Sequence, residues 1–279
     1  MERRRIEFSG ACYHVIQRGN NREQIFRSTR DKKSYLNNLV SLKTSYDFLL
    51  LGYVLMDNHY HLLIRTGDDP LHKIIFRQNM FYSRYFNNSH QRSGHLYGDR
   101  YKASIIQDDH YLFSVLRYIH YNPVKAGMCQ KPGQYKWSSD ESYRQNNTEN
   151  VDIDFILNML SLNRNNAIKI YLNQMQEELR ENEVYDKMKY IGDEDFIAKI
   201  KADHTRKGQK VIRKPLDDIL ENIGITRADI DLIKSGSRKR SLSNYKKKYV
   251  REAIAQGYSY KEIGENIKIS DSAVALYCR

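Results

Sequence analysis

An apolar segment, a turn and an alternating segment follow one another near residue 57, and they limit the folds open to this chain more than any other feature. Residues 48–56, FLLLGYVLM, form a continuous apolar run of the kind found in buried strands. Asp57 and Asn58 have the composition of a turn, and residues 59–65, HYHLLIR, form a second strand. Together they predict a β-hairpin.

The segments on either side of the hairpin predict an α+β domain. A helix is expected to begin at Asp108 and to stop near Asn122 and Pro123, because the residue before a proline is biased away from helical geometry. The order β-α-β-β-α-β-α predicts one sheet that is covered by helices on one side. The remaining predicted elements are strands at 11–18 and 101–107 and helices at 31–46 and 71–86.

Charge divides the chain into three parts. Residues 1–149 carry 22 Lys+Arg and 14 Asp+Glu, a net charge of +8, and residues 207–279 carry 16 and 9, a net of +7. Residues 150–206 between them carry 8 and 11, a net of −3. We expect two polyanion-binding domains, 1–149 and 207–279, joined by an all-α connector at 150–206. A cationic shell that serves only solubility is the alternative.

Composition excludes several classes of protein. With 40% hydrophobic and 29% charged residues the chain of 279 residues is not wholly disordered. It has no apolar run of about 18 residues and no apolar stretch behind its first ten residues, so neither a membrane span nor a secretion signal is expected. Cys12, Cys129 and Cys278 are widely scattered, which disfavours a disulfide framework or a thiolate zinc site. We expect a soluble cytoplasmic protein.

His59 and His61 are two apart on a predicted strand. Side chains alternate along a strand, so both imidazoles point to one face while Tyr60 points to the other. Two imidazoles on one face can chelate a divalent cation if a third ligand arrives from elsewhere. Two histidines without a ligand role are the alternative. A zinc hydrolase is disfavoured, since no Glu or Cys accompanies the pair at ligand spacing.

The helix that ends in RYIHYNPVKAG (117–127) offers further chemistry. Tyr118 and Asn122 are four apart and share one face of that helix. A tyrosine phenol beside a metal-bound phosphate suits covalent phosphoryl transfer, which yields a phosphotyrosine and a free 3′-hydroxyl. No water is consumed, so strand transfer can follow. The alternative is a helix that ends at a proline, with its tyrosines packed under the sheet.

Three segments, MDNHYHLLIR (56–65), RSGHLYGDRYKA (92–103) and RYIHYNPVKAG (117–127), resemble the single-tyrosine HUH transposases. The most similar branch is the IS200-like, REP-associated tyrosine transposases, and the resemblance spans roughly residues 5–145. It implies a ferredoxin-like HUH nuclease domain that uses Mg²⁺ or Mn²⁺. It also implies the roles of single residues: His59 and His61 as metal ligands, Asn122 as the third, polar ligand and Tyr118 as the nucleophile, with Tyr121 a second phenol nearby.

The same resemblance implies a substrate, single-stranded DNA that bears a hairpin. Lysine and arginine would neutralise its phosphates, and tyrosine rings could stack on its bases. The enzyme is expected to act as a monomer or a homodimer. The expected DNA contacts in this domain are Arg18, Arg84, Tyr85, Arg100 and Lys102.

Residues 248–279 have the pattern of a helix-turn-helix, in which Ser270 caps a last helix that would enter the major groove of double-stranded DNA. The stretch from residue 215 onward resembles the C-terminal DNA-binding domain of the bacterial initiator DnaA. The resemblance implies that Arg240 reaches the minor groove and that Ser270 and Ser272 contact DNA. A small helical bundle for protein contacts is the alternative.

The sequence thus predicts a metal-dependent single-stranded DNA endonuclease and strand transferase, cytoplasmic and associated with the nucleoid. A replication-initiator or relaxase-type nickase is a second possibility. A third is a domesticated, non-cleaving regulator that binds specific DNA sites.

Overall fold

The computed structural model divides into two compact units, residues 1–202 and 203–279, which we call the first and the second unit. The residues that it describes are 6–107, 109–177, 185–186, 188–208, 214–237, 239–256 and 258–278, with the backbone alone at 109, 201, 203–208, 271, 272 and 278.

A mixed sheet organises the first unit. Its order is β2-β3-β1-β4-β5, antiparallel throughout except that β4 and β5 are parallel. The predicted hairpin is present as β2 and β3, and β1 pairs with β3 on the other side. The short β5 comes from the segment that we expected to be entirely helical. The strands are β1 (Cys12–Arg18), β2 (Phe48–Leu55), β3 (His59–Thr66), β4 (Lys102–Ile106) and β5 (Tyr190–Ile191).

Helices accompany the sheet as the α+β prediction requires. The first begins at a capping box, in which Ser28 and Asp31 satisfy each other's backbone N–H groups. The helices of the first unit are α1 (Thr29–Leu42), α2 (Leu71–Ser89), α3 (Asp109–Lys125), α4 (Asp140–Arg144), α5 (Ile153–Leu160) and α6 (Arg164–Gln174), and α7 (Glu194–Gly208) follows β5.

The helices lie on both faces of the sheet, whereas we expected them on one. On one face α1 and α2 pack against Tyr60, whose ring lies 4.9 Å from that of Tyr35 and whose hydroxyl donates to Asn79. On the other face α3 packs against His61, whose ring lies 6.2 Å from that of Tyr118. Neighbouring residues of a strand point to opposite faces, so these contacts put α1 and α2 on one side and α3 on the other. Element order alone does not determine the side on which each helix packs.

The third helix runs to Lys125, beyond the expected stop before Pro123. It ends instead at Gly127, which has a φ of +70°, with backbone bonds from Gly127 N to Val124 O and from Met128 N to Pro123 O. This pattern is a Schellman motif, and glycine is the residue that adopts its left-handed position without strain. The longer helix keeps Tyr118 well inside a regular turn.

The segment after residue 150 is part of the first unit's core. Ile153 and Leu157 of α5 and Tyr171 of α6 are fully buried there. A buried polar network joins α6 to α3 and α4. His120 lies 2.7 Å from Oγ of Ser139 and 2.9 Å from the hydroxyl of Tyr171, which donates to Asp140. His120 therefore has a structural role.

The second unit packs helices around a small apolar core that contains Tyr249, Ala253, Ile263 and Val274. Ser270 caps the last helix as predicted, accepting a hydrogen bond from the backbone N–H of Ala273. Its helices are α8 (Leu216–Glu221), α9 (Arg227–Lys234), α10 (Ser243–Ala255), α11 (Tyr260–Asn266) and α12 (Asp271–Cys278). Across the described part of both units, no helix is long and apolar enough to cross a membrane.

Candidate active site

Three histidines and an arginine share the sheet face that α3 covers. In the antiparallel register His59 lies opposite Arg18, His61 opposite Ile16, and His14 opposite Leu63. Directly opposed residues point to the same side of a sheet, and so do residues two apart on one strand. His59 and His61 therefore lie on one face of the sheet, as we expected from the hairpin pattern, and β1 adds His14 to the same face.

His14 contacts His61 at Nδ1 of the His61 ring. Nε2 of His14 lies 2.9 Å from Nδ1 of His61, and the two rings stack with centroids 5.1 Å apart. If Nδ1–H of His61 donates in this bond, the lone pair of His61 is on Nε2. Among the described residues that Nε2 has no hydrogen-bond partner, although it is buried. A buried nitrogen with a free lone pair is costly unless a ligand completes it.

A hydrogen bond at Nδ1 also determines which nitrogen of His59 has the lone pair. Its Nδ1 lies 2.6 Å from Oδ1 of Asn58, an acceptor, so Nδ1 carries the proton and Nε2 the lone pair. Burial and the neighbouring Arg18 lower the pKa of His59 to about 4. Burial also lowers the pKa of His14 to about 4 and that of His61 well below its ordinary value. All three imidazoles are thus neutral at pH 7, the form in which histidine binds metals.

Tyr118 faces these histidines from α3. Its ring lies edge-on to those of His14 and His61, with centroids 5.9 and 6.2 Å away. Its hydroxyl donates to Oδ1 of Asp186 over 2.6 Å. Burial and this hydrogen bond raise the pKa of Tyr118 above that of a free phenol. The hydroxyl is therefore protonated at neutral pH.

Asp186 connects the tyrosine with the histidines. Besides accepting from Tyr118, its Oδ1 lies 3.8 Å from Nδ1 of His61. One ligand atom from each of His14, His61 and Asp186 lies within 4.8 Å of the others, close enough to hold a metal ion. The structure therefore offers a His-His-Asp cluster beside the predicted set of His59, His61 and Asn122.

The side chains of Asn122 and Tyr121 both donate hydrogen bonds to backbone oxygens. Nδ2 of Asn122 donates to the backbone oxygen of Tyr118 one turn earlier, over 2.8 Å. The hydroxyl of Tyr121 donates to the backbone oxygens of Met175 and Glu177, at the end of α6. The phenols of Tyr118 and Tyr121 thus have different partners, and it is Tyr118 that faces the histidines.

A basic cavity of about 600 Å³ opens beside this cluster. Three of the predicted DNA-contacting residues, Arg18, Arg100 and Lys102, line it, together with Asp186. Arg22 adds a further positive charge to the same wall. Cationic side chains around a hollow of this size can bind a phosphate-containing chain next to the histidines and Tyr118.

Comparison with known proteins gives the family of one part of the chain. Residues 7–122, which include β1 to β4 and α3 as far as Asn122, match the family described as "Transposase IS200 like". The domain at residues 7–122 is an IS200-like transposase. The chain is accordingly an enzyme, and the family resemblance of its three segments is confirmed.

A solved structure described as a REP-associated tyrosine transposase bound to a REP hairpin is similar to this chain. The match has 19% sequence identity and a TM-score of 0.43, and it covers 55% of this chain and 90% of that one. No curated protein matches the sequence.

The other two predicted DNA contacts of the transposase domain lie on α2, on the far side of the sheet. Arg84 lines a surface depression with Arg77, and Tyr85 lines a neighbouring one with Lys33 of α1. The hydroxyl of Tyr85 also donates to Asp31 over 3.3 Å. The structure therefore separates these residues from the basic cavity beside the histidines.

The predicted DNA contacts of the second unit lie at the starts of two of its helical segments. Arg240 is exposed at the start of the 3-10 turn before α10, and the exposed Ser270 caps α12. The side chain of Ser272 lies outside the described residues.

Sequence reasoning missed two residues of the candidate site, His14 and Asp186. His14 has a signal in hindsight, because it is four residues before Arg18 on a predicted strand and therefore shares its face. Asp186 has no such signal. It stands 68 residues after Tyr118, and only the packing of the chain brings the two together.

Proposed function

We propose that this transposase is a metal-dependent single-stranded DNA endonuclease and strand transferase that cleaves next to a hairpin through Tyr118. The observation that carries the proposal is the position of Tyr118. Its ring lies edge-on to the neutral imidazoles of His14 and His61, beside a cavity lined with arginine and lysine. A nucleophile, candidate metal ligands and a phosphate-binding wall are what covalent phosphoryl transfer requires. Its place of action is then the cytoplasm, at the nucleoid.

The donor set fits a divalent ion. Nε2 of His61 is buried without a hydrogen-bond partner among the described residues, and the bond from His59 to Asn58 leaves Nε2 of His59 with a lone pair. These two nitrogens would hold Mg²⁺ or Mn²⁺, with Asn122 supplying an oxygen ligand. When bound, the ion would polarise a non-bridging phosphate oxygen and stabilise the negative charge of the transition state.

The chain's own residues supply positioning and the nucleophile. Arg18, Arg100 and Lys102 hold the strand by its phosphates in the cavity. The phenolic oxygen of Tyr118 attacks the scissile phosphorus, which releases a 3′-hydroxyl and leaves the 5′-phosphate on the tyrosine. The bond energy is kept in this ester, so a second 3′-hydroxyl can reverse the step and join a new strand.

The test is the covalent intermediate. Purified protein is incubated with labelled single-stranded hairpin oligonucleotides, taken from the DNA that flanks the gene, with Mg²⁺ or Mn²⁺ or with chelator. We expect a metal-dependent protein–DNA band on denaturing gels. Tight hairpin binding without this band, across all the flanking hairpins, would contradict the proposal and favour a non-cleaving regulator.

For the second unit, we propose a domain that binds double-stranded DNA through α12. Support comes from the exposed basic surface of α10, where Lys247, Lys248 and Arg251 line one depression. Two short helices, each capped by a serine, follow α10. Loss of duplex binding in the full chain on Arg240→Ala would support this role, and unchanged binding would contradict it.

A further inference from the structure

Asp186 accepts the hydrogen bond of the proposed nucleophile. Its Oδ1 lies 2.6 Å from the hydroxyl oxygen of Tyr118, which donates the hydrogen bond. The carboxylate is about one-quarter exposed, whereas Tyr118 is almost entirely buried. Bulk water therefore has little access to the phenol. The acceptor of the hydrogen bond described for its hydroxyl is the carboxylate of Asp186.

The same carboxylate faces the space that DNA would enter. Asp186 lines the basic cavity together with Arg18, Arg100 and Lys102. A proton acceptor must lie within hydrogen-bond reach of the proton that it takes, in the position where the reaction occurs. Asp186 meets both conditions.

We propose that Asp186 is the general base that takes the proton of Tyr118 during cleavage. This inference rests on the proposed function. The O–H bond of Tyr118 breaks, its proton moves to Oδ1 of Asp186, and the oxygen's electron pair forms the new bond to phosphorus. The bond between phosphorus and the 3′ oxygen breaks, and that oxygen keeps the pair and takes a proton from water.

The reverse step needs the same residue. When a 3′-hydroxyl attacks the phosphotyrosine, the phenolic oxygen of Tyr118 is the leaving group. Protonated Asp186 then returns the proton to it, and the proton of the attacking hydroxyl passes to water. One carboxylate thus serves as base in cleavage and as acid in joining.

The experiment compares the full-length protein with its Asp186→Asn variant, which keeps the size of the side chain but removes its basic oxygen. Asp195→Asn is the matched control, since it removes an exposed carboxylate from α7 in the same part of the chain. Three quantities are measured: the single-turnover rate of adduct formation, the hairpin Kd in chelator, and the Mn²⁺ Kd by electron paramagnetic resonance.

We expect Asp186→Asn to slow adduct formation by about 10²–10⁴-fold, the usual contribution of a general base. The hairpin Kd and the Mn²⁺ Kd should stay within about threefold of the wild-type values. Asp195→Asn should leave all three quantities unchanged. Replacement of Tyr118 by a fluorinated tyrosine, whose phenol is more acidic, should restore part of the rate in Asp186→Asn, because a more acidic phenol depends less on a base.

Four results would overturn the proposal. A rate within threefold of wild type would mean that Asp186 is not needed, and a faster rate would mean that it restrains Tyr118. A parallel loss of Mn²⁺ affinity would make Asp186 a metal ligand instead. An absent adduct in the wild-type protein itself would remove the proposed function, and the base with it. The wild-type lane therefore distinguishes failure of the function from failure of this inference.

Discussion

The imidazoles of His14 and His61 lie in parallel, 47 residues apart in the chain and with 2.9 Å between Nε2 of the first and Nδ1 of the second. Adjacent strands of the sheet hold them in this position, since β1 pairs with β3 along its whole length. The contact orients the ring of His61 and couples its tautomer to that of His14. In metal sites, partners of this kind set the tautomer and the direction of the ligand.

The first prediction concerns His14. If it acts through His61, His14→Ala should weaken Mn²⁺ binding by about 10–100-fold, the usual effect of losing such a partner. His59→Ala, which removes a proposed ligand, should weaken it more. Mn²⁺ titration of each variant, followed by electron paramagnetic resonance, measures both. If His14→Ala abolished binding and His59→Ala left it intact, the ion would instead belong to the cluster of His14, His61 and Asp186.

The second prediction distinguishes Tyr118 from Tyr121, which both lie on α3. Tyr118→Phe should abolish the covalent adduct and leave the hairpin Kd unchanged, because only the attacking oxygen is removed. Tyr121→Phe is the matched control. Its hydroxyl donates to the backbone at Met175, so its loss should cost about 1 kcal/mol of stability and little activity. Equal amounts of adduct in Tyr118→Phe and wild type would move the nucleophile to Tyr121.

These variants test residues that the sequence predicts to different degrees. The α+β fold class is confirmed. It could be predicted because the alternation in β3 and the apolar run of β2 are local patterns. The common face of His59 and His61 follows from the same alternation. The partner of His61 is harder to find, since β1 and β3 could pair in several registers and only one places His14 beside it.

Packing between distant segments explains the rest. The two-residue β5 is too short to leave a pattern, yet it joins β4. Gly52 is visible in the sequence as an interruption of β2, but its reason lies in α3. A Cβ there would come within 2.5 Å of Leu116, so glycine permits the close approach of that helix. Asp186 reaches Tyr118 through the same kind of long-range packing.

The third prediction concerns the basic cavity. Arg18→Ala and Lys102→Ala should each weaken binding of single-stranded DNA and lower the slope of log Kd against log salt by about 0.7, the value for one phosphate contact. Arg84→Ala is the control, because α2 lies on the far face of the sheet. With an oligonucleotide that spans only the cleavage site, Arg84→Ala should bind as the wild type does. If Arg84→Ala alone lowered the slope of log Kd against log salt, the single-stranded DNA would lie on α2 instead.

The fourth prediction concerns stability in acid. His120 is fully buried between Ser139 and Tyr171, and burial lowers its pKa to about 4, against about 6.5 in an unfolded chain. Between these values the unfolded chain binds more protons, so stability is complete above about pH 6.5 and falls toward pH 4. The shift corresponds to about 3 kcal/mol for this group.

His120→Gln isolates this contribution, because glutamine can still hydrogen-bond but does not titrate. At pH 7 the variant should be less stable than wild type, since the fit between Ser139 and Tyr171 is disturbed. As the pH falls to 4, the difference in unfolding free energy should shrink by about 3 kcal/mol, because only the wild type has this group to protonate on unfolding. Urea unfolding of both proteins from pH 7 to pH 4 measures it. A difference that stays constant over this range would show that the pKa of His120 is the same in the folded and the unfolded protein, which would contradict the prediction.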